Sequence, residues 1–392
     1  MKILSINAGS SSLKFQAYEM PEEKILIKGR FERIGIDNSF YTIWINDEKY
    51  EKKVDLPNHK TALKILTEEL INYDVVKDLN EIDAIGHRVV HGGDKYSKSV
   101  VIDEDVIKTV NDLSDLAPLH NPANIIGVEA ATEAFPNAKQ IACFDTAFHQ
   151  TMEESRYIYP VPYEWSTKYN IRKYGFHGMS HSYVSKKAIE LLGTKESKVI
   201  VCHLGQGGSI SAVKDGNCID TTMGFTPNAG TLMGSRCGDI DYSIIPYIMK
   251  KTNKTIEEID TILNKESGLL GISGVSNDCR DIELEAEKGN ERAILALETY
   301  ANSITKYVAE YYVELGGADA ICFTAGVGEN GSKIRQMVIE KLSCLGVELD
   351  AEANKTRGKT TLISTPNSSV KCYIIPTDEE VMIARDTYNL AK

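Results

Sequence analysis

The stretch Lys2-Ile3-Leu4-Ser5-Ile6-Asn7-Ala8-Gly9-Ser10 has a counterpart about half a chain later, at Lys198-Val199-Ile200-Val201-Cys202-His203-Leu204-Gly205-Gln206. Each copy has the pattern of an apolar strand, followed by a polar residue, a small glycine turn and a second strand. A weaker pair, Asp83-Ala84-Ile85 and Asp319-Ala320-Ile321, recurs in the same order. The repetition predicts a duplicated domain with a cleft between the two halves. A chance match between apolar strands is the alternative.

Short apolar runs alternate with longer helical patterns along the rest of the chain, which is typical of an α/β protein. Strands are predicted at residues 2–6, 82–90, 139–144, 198–203, 318–324 and 370–376. Helices are predicted at residues 61–71, 180–192, 293–315, 334–345 and 379–390. Pro160 and Pro162 mark the first expected domain boundary, because proline interrupts both helices and sheets.

Composition excludes several classes of protein. The 392 residues correspond to two or three domains. The net charge of −12 leaves no broad basic surface for a nucleic-acid backbone, so no nucleic-acid partner is expected. We expect no membrane association either, since no apolar stretch reaches the roughly 18–20 residues of a spanning helix and no signal-peptide pattern is present. The eight cysteines are scattered without a Cys-x-x-Cys pair, as expected of reduced thiols in the cytoplasm.

Glycine-containing turns follow four of the predicted strands. They lie at residues 7–12, 91–93, 205–209 and 326–331. Such turns expose backbone N–H groups that bind phosphate oxygens, and glycine allows a ligand to approach the chain closely. Together the four turns indicate a phosphate-bearing ligand.

The last of these turns, Gly326-Val327-Gly328-Glu329-Asn330-Gly331, also fits the G-x-G-x-x-G pattern of a dinucleotide-binding oxidoreductase. Asp350, at the end of a strand-like run over residues 346–350, even lies near the expected position of a ribose-binding acid. However, too little chain follows for the remaining βαβ units, and Glu329 would place a carboxylate beside the pyrophosphate. The oxidoreductase is therefore the distant alternative. A P-loop is excluded, because Gly331-Ser332-Lys333 lacks the Gly-Lys-Ser order.

Most of the eight histidines fall at predicted strand ends or in the loops that follow, where α/β active sites are built. His59, in a polar turn, is interpreted as a bystander. A zinc site is the weaker interpretation of the pairs His87/His91 and His177/His181. The first pair lies at a strand end, where four residues span roughly 13 Å, too far for one metal ion.

Two arginines are placed to bind anions. Arg236 lies in the turn Gly234-Ser235-Arg236-Cys237-Gly238, and Arg88 ends a predicted strand. The planar guanidinium fork suits phosphoryl and carboxylate oxygens, and phosphoryl transfer depends mainly on positioning and charge stabilisation. The hard oxygen ligands available for magnesium are those of Asp145, Glu379 and Asn7.

A set of ordered motifs carries a resemblance to a known family. They are Asn7-Ala8-Gly9-Ser10-Ser11-Ser12-Leu13-Lys14-Phe15, His87-Arg88-Val89-Val90-His91-Gly92-Gly93, Phe144-Asp145-Thr146-Ala147-Phe148-His149, Tyr174-Gly175-Phe176-His177-Gly178, residues 233–241, residues 323–330 and Pro376-Thr377-Asp378-Glu379-Glu380. Over nearly its whole length the chain resembles the acetokinase family, within the actin, Hsp70 and sugar-kinase superfamily.

The resemblance implies two duplicated actin-like (ribonuclease H-like) α/β domains with a cleft between them. The first would comprise residues 1–150 plus 378–392, with the final helix returning to it. The second, residues 151–377, would bind the nucleotide and form a homodimer. The implied reaction is reversible, direct in-line transfer of the ATP γ-phosphoryl group to acetate, which gives acetyl phosphate and ADP. The implied cofactor is Mg²⁺, with Mn²⁺ as the alternative metal.

The resemblance also assigns roles to individual residues. The metal ligands would be Asn7 and Glu379. The catalytic residues would be Arg88, Asp145, His177 and Arg236. Acetate would be bound by Arg88 together with Val90, Leu119, His120, Phe176 and Pro227. ATP would be bound by Lys14, His203, Leu204, Gly205, Gln206, Gly207, Asp278, Cys279, Arg280, Gly326, Val327, Gly328, Glu329 and Asn330.

Two positions qualify this assignment. Acetate is already ionised at neutral pH, so we expect Asp145 to orient Arg88 or a magnesium-bound water and not to remove a proton. Gln206 stands where the family usually has asparagine, and some relatives use pyrophosphate as the phosphoryl donor. The small residues Gly326-Val327-Gly328 leave room for an adenosine, which favours ATP. Propionate or butyrate kinase is the close rival, and a non-enzymatic actin-like or chaperone ATPase is a further alternative.

Overall fold

The computed structural model describes residues 1–46, 48–118 and 120–392, which cluster into two compact units. Unit 1 comprises Met1–Phe148 and Asp378–Lys392, and unit 2 comprises His149–Thr377. The chain passes from unit 1 to unit 2 between Phe148 and His149. The sequence predicts the first boundary slightly later, at Pro160 and Pro162.

Unit 1 is built on a mixed sheet. Its strands are β1 (Lys2–Ala8), β2 (Ser12–Glu19), β3 (Lys24–Glu32), β4 (Phe40–Ile45), β5 (Glu48–Lys53), β6 (Ile82–Val89), β7 (Val100–Val101) and β8 (Lys139–Phe144). Its first helices are α1 (His59–Asn72), α2 (Glu104–Asp112) and α3 (Asn121–Ala134). The strand order is β5-β4-β3-β2-β1-β6-β8-β7.

Unit 2 contains a second mixed sheet with more helices around it. Its helices are α4 (Glu154–Tyr157), α5 (Tyr163–Tyr169), α6 (Gly178–Leu192), α7 (Ile244–Thr252), α8 (Ile256–Lys265), α9 (Gly268–Ser273), α10 (Cys279–Glu287), α11 (Glu291–Glu314), α12 (Ala325–Asn330) and α13 (Ser332–Lys341). Its strands are β9 (Lys198–Leu204), β10 (Gly208–Lys214), β11 (Asn217–Thr221), β12 (Ala320–Thr324), β13 (Thr361–Leu362) and β14 (Lys371–Ile374), in the order β11-β10-β9-β12-β14-β13. The chain then returns to unit 1 in α14 (Glu379–Ala391).

The two sheets repeat one arrangement of strands. In unit 1, β1 pairs antiparallel with β2 and parallel with β6, which pairs parallel with β8. In unit 2, β9 pairs in the same way with β10 and β12, and β12 with β14. Even a side-chain contact recurs, since Asp83 Oδ2 accepts the Lys2 N–H at 2.8 Å and Asp319 Oδ2 accepts the Lys198 N–H at 2.7 Å. The predicted fold class, two duplicated α/β domains of the actin-like kind, is therefore confirmed.

Central parallel strands are covered on both faces, which explains their uninterrupted apolar sequences. All five residues of β12 are buried. The 24-residue helix α11 packs on this sheet through side chains at helical spacing, among them Leu297, Ile304 and Val308. In unit 1, α1 contributes Leu63, Leu66 and Leu70 to the core. Packing of this kind holds the strand ends, and the side chains they carry, in fixed positions.

The structure differs from the sequence predictions around the last glycine turn. Residues 326–331 were expected to form a turn, but the chain forms the short helix α12 directly after β12. The predicted helix at 334–345 begins at Ser332 and ends at Lys341, and a 3-10 turn at Ser343–Leu345 leads to Gly346 with φ of 74°. Only a single bridge, between Leu349 and Ser364, replaces the strand expected at 346–350.

The cysteines are free thiols, as their spacing predicts. Of the helices that the structure describes, none combines the length and the apolar character that crossing a bilayer requires.

Candidate active site

The carboxyl ends of three neighbouring strands bring polar side chains together in unit 1. Asn7 lies near the end of β1, Arg88 near the end of β6, and Asp145 directly after β8. The Arg88 guanidinium donates from Nε to Asp145 Oδ2 at 3.1 Å and forms a close ion pair with the same oxygen through Nη2. Its Nη1 lies 3.4 Å from Asn7 Oδ1, and its Nε lies 3.8 Å from Glu379 Oε2. The structure therefore places four of the predicted site residues around one another.

Charge and burial shift the pKa values of this group. Burial alone would lower the pKa of Arg88, but the neighbouring carboxylates of Asp145 and Glu379 outweigh it and raise that pKa above its ordinary value. Burial raises the pKa of Glu379 to about 7, and the nearby Arg88 charge offsets only part of this effect. Arg88 is consequently held as a cation, while Glu379 gains from any additional positive charge nearby.

The oxygens of this cluster fit a hard divalent cation. Asp145 is 1% exposed, and its Oδ1 has no hydrogen-bond partner among the described residues. A buried carboxylate oxygen without a partner is costly unless a ligand completes its coordination. Magnesium is commonly held by one or two carboxylates plus substrate phosphates. The donors here are carboxylate and amide oxygens, without the thiolate or imidazole ligands typical of zinc, so this donor set suits magnesium better than zinc.

Two buried asparagines of α3 support this edge of the sheet, and sequence reasoning missed both. Asn124 accepts the Val90 N–H at 3.0 Å and donates to the Ala8 carbonyl at 2.8 Å, which ties the β6 and β1 ends together. Asn121 accepts the His91 N–H at 3.1 Å and donates to the His91 carbonyl at 3.2 Å. The signal available was the sequence Leu119-His120-Asn121-Pro122 at the start of a helix.

The remaining unit 1 predictions have different outcomes. Val90 is buried beside the cluster, and His120 occupies the N-cap position of α3 without a side-chain capping hydrogen bond. Leu119 lies outside the described residues. Lys14 is exposed on β2 and lines a cleft of about 230 Å³ with Lys28, Arg30 and Trp44 among others.

His59, which the sequence analysis interprets as having no role in the site, makes a structural contact. It begins α1, is buried, and its Nε2 donates to the Gly9 carbonyl at 2.7 Å. It therefore stabilises the glycine turn that follows Asn7. A local polar pattern does not reveal a contact between residues 50 positions apart.

In unit 2, His177 and Arg236 converge on Gly207. A Cβ atom placed on Gly207 would lie 3.4 Å from Arg236 Nη1 and 3.6 Å from His177 Nε2. Glycine at this position keeps the space between the two side chains open. The His177 ring stacks on that of His203, with the centroids 4.1 Å apart. Thus four of the predicted residues, from three separate parts of the sequence, are brought together.

Arg236 carries a charge that the described part of the protein does not balance. Its Nη1 donates to the Pro227 carbonyl at 2.8 Å, and no carboxylate of the described residues lies within 4.0 Å of it. Burial lowers the pKa of Arg236 from its ordinary value. Partly buried cations without a counter-ion are costly, and an anionic ligand compensates this cost. The residue expected from sequence to form a phosphoryl site has the environment of an anion receptor.

Phe176 and Pro227 flank these groups through their backbones. Phe176 is buried, and its carbonyl accepts a hydrogen bond from His149 Nε2 at 2.9 Å. Pro227 is half-buried and holds Arg236 as described.

A cavity of about 490 Å³ lies elsewhere in unit 2, at the ends of β9 and β12. Of the predicted ATP contacts, those lining it are Gly205, Gln206, Asp278, Cys279, Arg280, Gly326, Val327 and Asn330. Those that the structure places outside its lining are His203, Leu204, Gly207, Gly328 and Glu329. The lining residues that the sequence did not indicate are Leu269, Asn277, Glu283 and Arg357, and Gly331 of the predicted glycine turn also lines it. Its size and its mixture of glycines and charged groups suit a nucleotide.

Glu329 is directed at the protein backbone. Its Oε1 accepts the N–H groups of Ala325, at 2.9 Å, and of Thr377, at 3.2 Å. Ala325 has a φ of 62°, a conformation that is unfavourable for a residue with a side chain. Glu329 therefore helps to hold the strained start of α12, which carries the cavity wall.

Buried Arg335 supports the same wall and was not predicted. It is fully buried, donates from Nη1 to the Gly328 carbonyl at 2.8 Å, and contacts Asn354 through Nε at 2.9 Å. Burial lowers the pKa of Arg335 to about 10. Its position on a regular helix pattern gave no sign of burial, because arginine is normally a surface residue.

The sheet arrangement that both units repeat defines an α/β protein of the actin-like class. The sequence model of the acetokinase family matches residues 2–385. An acetate kinase from Bacillus subtilis (strain 168) is 56% identical over 393 residues, which cover 100% of both chains. The chain belongs to the acetokinase family.

Solved structures agree with this assignment. The crystal structure of Porphyromonas gingivalis acetate kinase is similar with a TM-score of 0.94 at 43% identity, covering 100% of each chain. A structure described as a propionate kinase, from Francisella tularensis subsp. tularensis SCHU S4, has the same TM-score of 0.94 and 43% identity over 99% of each chain.

Proposed function

We propose that the protein transfers the γ-phosphoryl group of ATP to acetate, reversibly, and releases acetyl phosphate and ADP. An acetate oxygen attacks the γ-phosphorus, and the bond from that phosphorus to the β–γ bridging oxygen breaks in line. Unit 2 supplies the groups for the nucleotide and the phosphoryl group, and unit 1 supplies those for the carboxylate and the metal. The family membership of the whole chain supports this proposal.

The unbalanced charge of Arg236 is the observation that carries the proposal. Phosphoryl transfer spreads negative charge over the equatorial oxygens of the moving group, and arginine stabilises that charge. Arg236 and His177 place donors near Gly207, and the Arg236 guanidinium has no carboxylate partner among the described residues that would have to be displaced first. Preorganised donors of this kind lower the barrier because they need no rearrangement during the reaction.

In unit 1 we assign carboxylate binding to Arg88. Its guanidinium is fixed by Asp145, and a fixed planar fork binds a carboxylate with defined orientation. Asp145 orients Arg88 in this proposal and does not act as a base, because acetate arrives already ionised. Asp145, Asn7 and Glu379 would hold Mg²⁺, with Mn²⁺ as the alternative. Such an ion would neutralise charge on the phosphate oxygens.

The length of the acyl group is the open specificity question. Val90 of unit 1 is the buried apolar residue proposed to contact the acetate methyl group. One additional methylene changes binding by only about 1–3 kcal/mol in an apolar pocket. Propionate kinase activity is therefore the second candidate, and it is favoured by the propionate kinase structure at 43% identity.

ATP is the proposed phosphoryl donor, since the cavity of about 490 Å³ is large enough for an adenosine. Gln206 lines this cavity and its side chain lies close to Gly234, where a Cβ would be only 2.5 Å from Gln206 Oε1. Its substitution for asparagine makes pyrophosphate the alternative donor to be tested.

We further propose that the protein is a cytoplasmic homodimer that associates through unit 2. On and before α7, unit 2 exposes apolar side chains that a second copy would cover, namely Ile240, Tyr242, Ile244 and Tyr247. Tyr242 alone is 80% exposed. Sedimentation velocity should give about twice the 43.4 kDa mass of one chain, and Tyr242→Asp should shift the protein towards the monomer.

Hydroxylamine trapping of the acyl phosphate tests the proposed reaction. Magnesium-ATP is supplied with acetate, propionate or butyrate, and a parallel series replaces ATP with pyrophosphate. We expect the strongest product from ATP and acetate, and no product without a divalent metal.

The other outcomes have distinct meanings. Product mainly from propionate or butyrate would change the substrate and keep the mechanism. Product only from pyrophosphate would identify pyrophosphate as the phosphoryl donor and would attribute this preference to Gln206. If the folded protein with magnesium made no acyl phosphate from any acid or donor, the proposed function would be wrong.

A further inference from the structure

A line of hydrogen bonds leads from the interior of unit 2 to His177. Ser211 Oγ lies 2.7 Å from His181 Nδ1, and His181 Nε2 lies 2.7 Å from Ser209 Oγ. Ser209 Oγ in turn lies 2.9 Å from His177 Nδ1. Both serines and His181 are fully buried. The line therefore joins α6 to β10, and water does not interrupt it at the surface.

Suppose that His177 is neutral and donates to a ligand from Nε2. The direction of every hydrogen bond in the line is then fixed. His177 Nδ1 must then accept, so the Ser209 hydroxyl donates to it. The Ser209 oxygen accepts the N–H of His181 Nε2, and the bare His181 Nδ1 accepts the Ser211 hydroxyl. Each group has one hydrogen to give and one lone pair to receive, so all three contacts are satisfied together.

The surroundings keep His181 in the neutral form that this order requires. Burial lowers the pKa of His181 well below its ordinary value, and the neighbouring His149 and His203 rings lower it further. The ring of His149 lies 5.6 Å from that of His181, and the ring of His203 lies 6.1 Å from it. A neutral imidazole has one N–H and one acceptor nitrogen, which is what the two serine contacts use.

We propose that Ser209 and His181 are positioning residues that fix the tautomer and the ring orientation of His177, so that its Nε2–H points at the transferring phosphoryl group. The proposal rests on the proposed function, in which His177 stabilises that group. Ser211 completes the line by fixing His181. Without the Ser209 hydroxyl, this line would no longer favour the tautomer protonated at Nε2. The tautomer protonated at Nδ1 would offer the Nε2 lone pair to an anionic ligand, which is repulsive.

Serine-to-alanine variants test the proposal with little change in volume. Ser209→Ala should lower kcat by about 10–100-fold and change the KM values for ATP and acetate by less than about threefold. Ser211→Ala, one step further from His177, should lower kcat less. The matched control is Ser185→Ala, which removes an equally buried hydroxyl on α6 that donates instead to the Ser182 carbonyl. The control should retain the wild-type kcat.

Nitrogen NMR of the histidine rings gives a readout that does not depend on activity. The protein is labelled with ¹⁵N-histidine, which introduces eight ring systems, and His177 is assigned by comparison with His177→Gln. In the wild-type protein above pH 8 we expect His177 protonated at Nε2, with Nδ1 shifted as for a nitrogen that accepts a hydrogen bond. In Ser209→Ala the Nδ1 resonance should move to the position of a non-bonded nitrogen.

The results separate this proposal from the proposed function. A wild-type His177 protonated at Nδ1, or a Ser209→Ala variant with normal kcat, would overturn the positioning role. An equal loss of kcat in Ser209→Ala and Ser185→Ala would also contradict it, because it would indicate a general packing effect. If the wild-type protein formed no acyl phosphate, the proposed function would fail, yet the NMR measurement would still decide the tautomer.

Discussion

Arg88 and Arg236 differ in how the protein balances their charges. Arg88 is paired with Asp145 and lies near Glu379, whereas Arg236 has only carbonyl and thioether acceptors among the described residues. Paired charges fix a side chain, and an unpaired charge attracts a counter-ion. The first arginine is thus suited to orient a bound carboxylate, and the second to stabilise charge that appears during transfer.

Substitution of Arg236 should separate catalysis from stability. We expect Arg236→Ala to lower kcat by about 10³-fold or more, in the range known for arginines that stabilise phosphoryl transfer. Thermal stability should be unchanged or slightly higher, because an uncompensated, partly buried charge is removed. Steady-state kinetics and circular dichroism melting measure the two effects.

Arg236→Lys is the matched comparison, since it keeps the charge but lacks the planar fork. It should retain more activity than the alanine variant and less than the wild type. A variant Arg236→Ala with near-normal kcat, or a lysine variant no better than alanine, would contradict the role assigned to the guanidinium.

Among individual residues, the sequence predicted the charged side chains of the site but not the buried side chains that support it. Arg88, Asp145 and Arg236 were recognisable because they stand in ordered motifs at predicted strand ends and turns. Asn124 was not, since its contacts with Ala8 and Val90 cross 116 and 34 positions. The same applies to His59 and Arg335, whose residue types are usual at the surface and whose burial depends on distant parts of the chain.

The C-terminal helix α14 is packed unusually closely on β6. A Cβ atom on Gly86 would lie 2.1 Å from Thr387 Oγ1 and 2.4 Å from Ile383 Cγ2. Glycine in a strand interior is otherwise unfavourable, and it is used here because the helix leaves no room for a side chain. Glu379, at the start of α14, reaches Arg88 only if the helix keeps this position.

Gly86→Ala should therefore move α14 outwards. We expect a loss of about 1–3 kcal/mol in the free energy of unfolding, as for other overpacked core sites. Activity should fall as well, because Glu379 moves with its helix. Urea unfolding gives the stability change. The control for stability is Gly326→Ala, where a Cβ would meet none of the described atoms within 4 Å. Equal stability of the Gly86 and Gly326 variants would show that the helix is not held as closely as the structure indicates.

Elements with a strong local pattern were predicted well from sequence. The repeated strand-turn-strand units became β1–β2 and β9–β10, and helices with a clear apolar face began and ended within a few residues of prediction. The strand expected at 346–350 does not form. Gly346 adopts a left-handed conformation, and the backbone hydrogen bonds of this segment with residues 363–369 produce only the single bridge between Leu349 and Ser364. Strand formation there depends on pairing with a distant segment, which a local apolar pattern does not reveal.

Over the whole molecule, both units contain histidines that are buried in the neutral state. Burial lowers the pKa of His87 and of His91 to about 4 in unit 1, and it lowers the pKa of His181 well below its ordinary value in unit 2. In the unfolded chain these groups have pKa values near 6.5. Between pH 6.5 and 4 the unfolded state therefore binds more protons than the folded state. The contribution of these histidines to stability therefore falls as the pH is lowered through this range, and it is fully present above it.

His87 allows the contribution of one such group to be measured. Its Nε2 lies 2.7 Å from Gln140 Oε1, and glutamine at position 87 would keep a donor for this oxygen without a titratable ring. A pKa that drops from about 6.5 to about 4 on folding costs about 2 kcal/mol of stability at pH 5 relative to pH 7.5. We expect the free energy of unfolding of His87→Gln to fall by about 2 kcal/mol less than that of the wild type between pH 7.5 and pH 5. Urea unfolding at fixed protein concentration and ionic strength measures the difference, and each protein at pH 7.5 is its own control for packing changes. The same pH loss in both proteins would mean that His87 does not titrate as its burial requires, and the acid sensitivity would then belong to His91, His181 or the carboxylates.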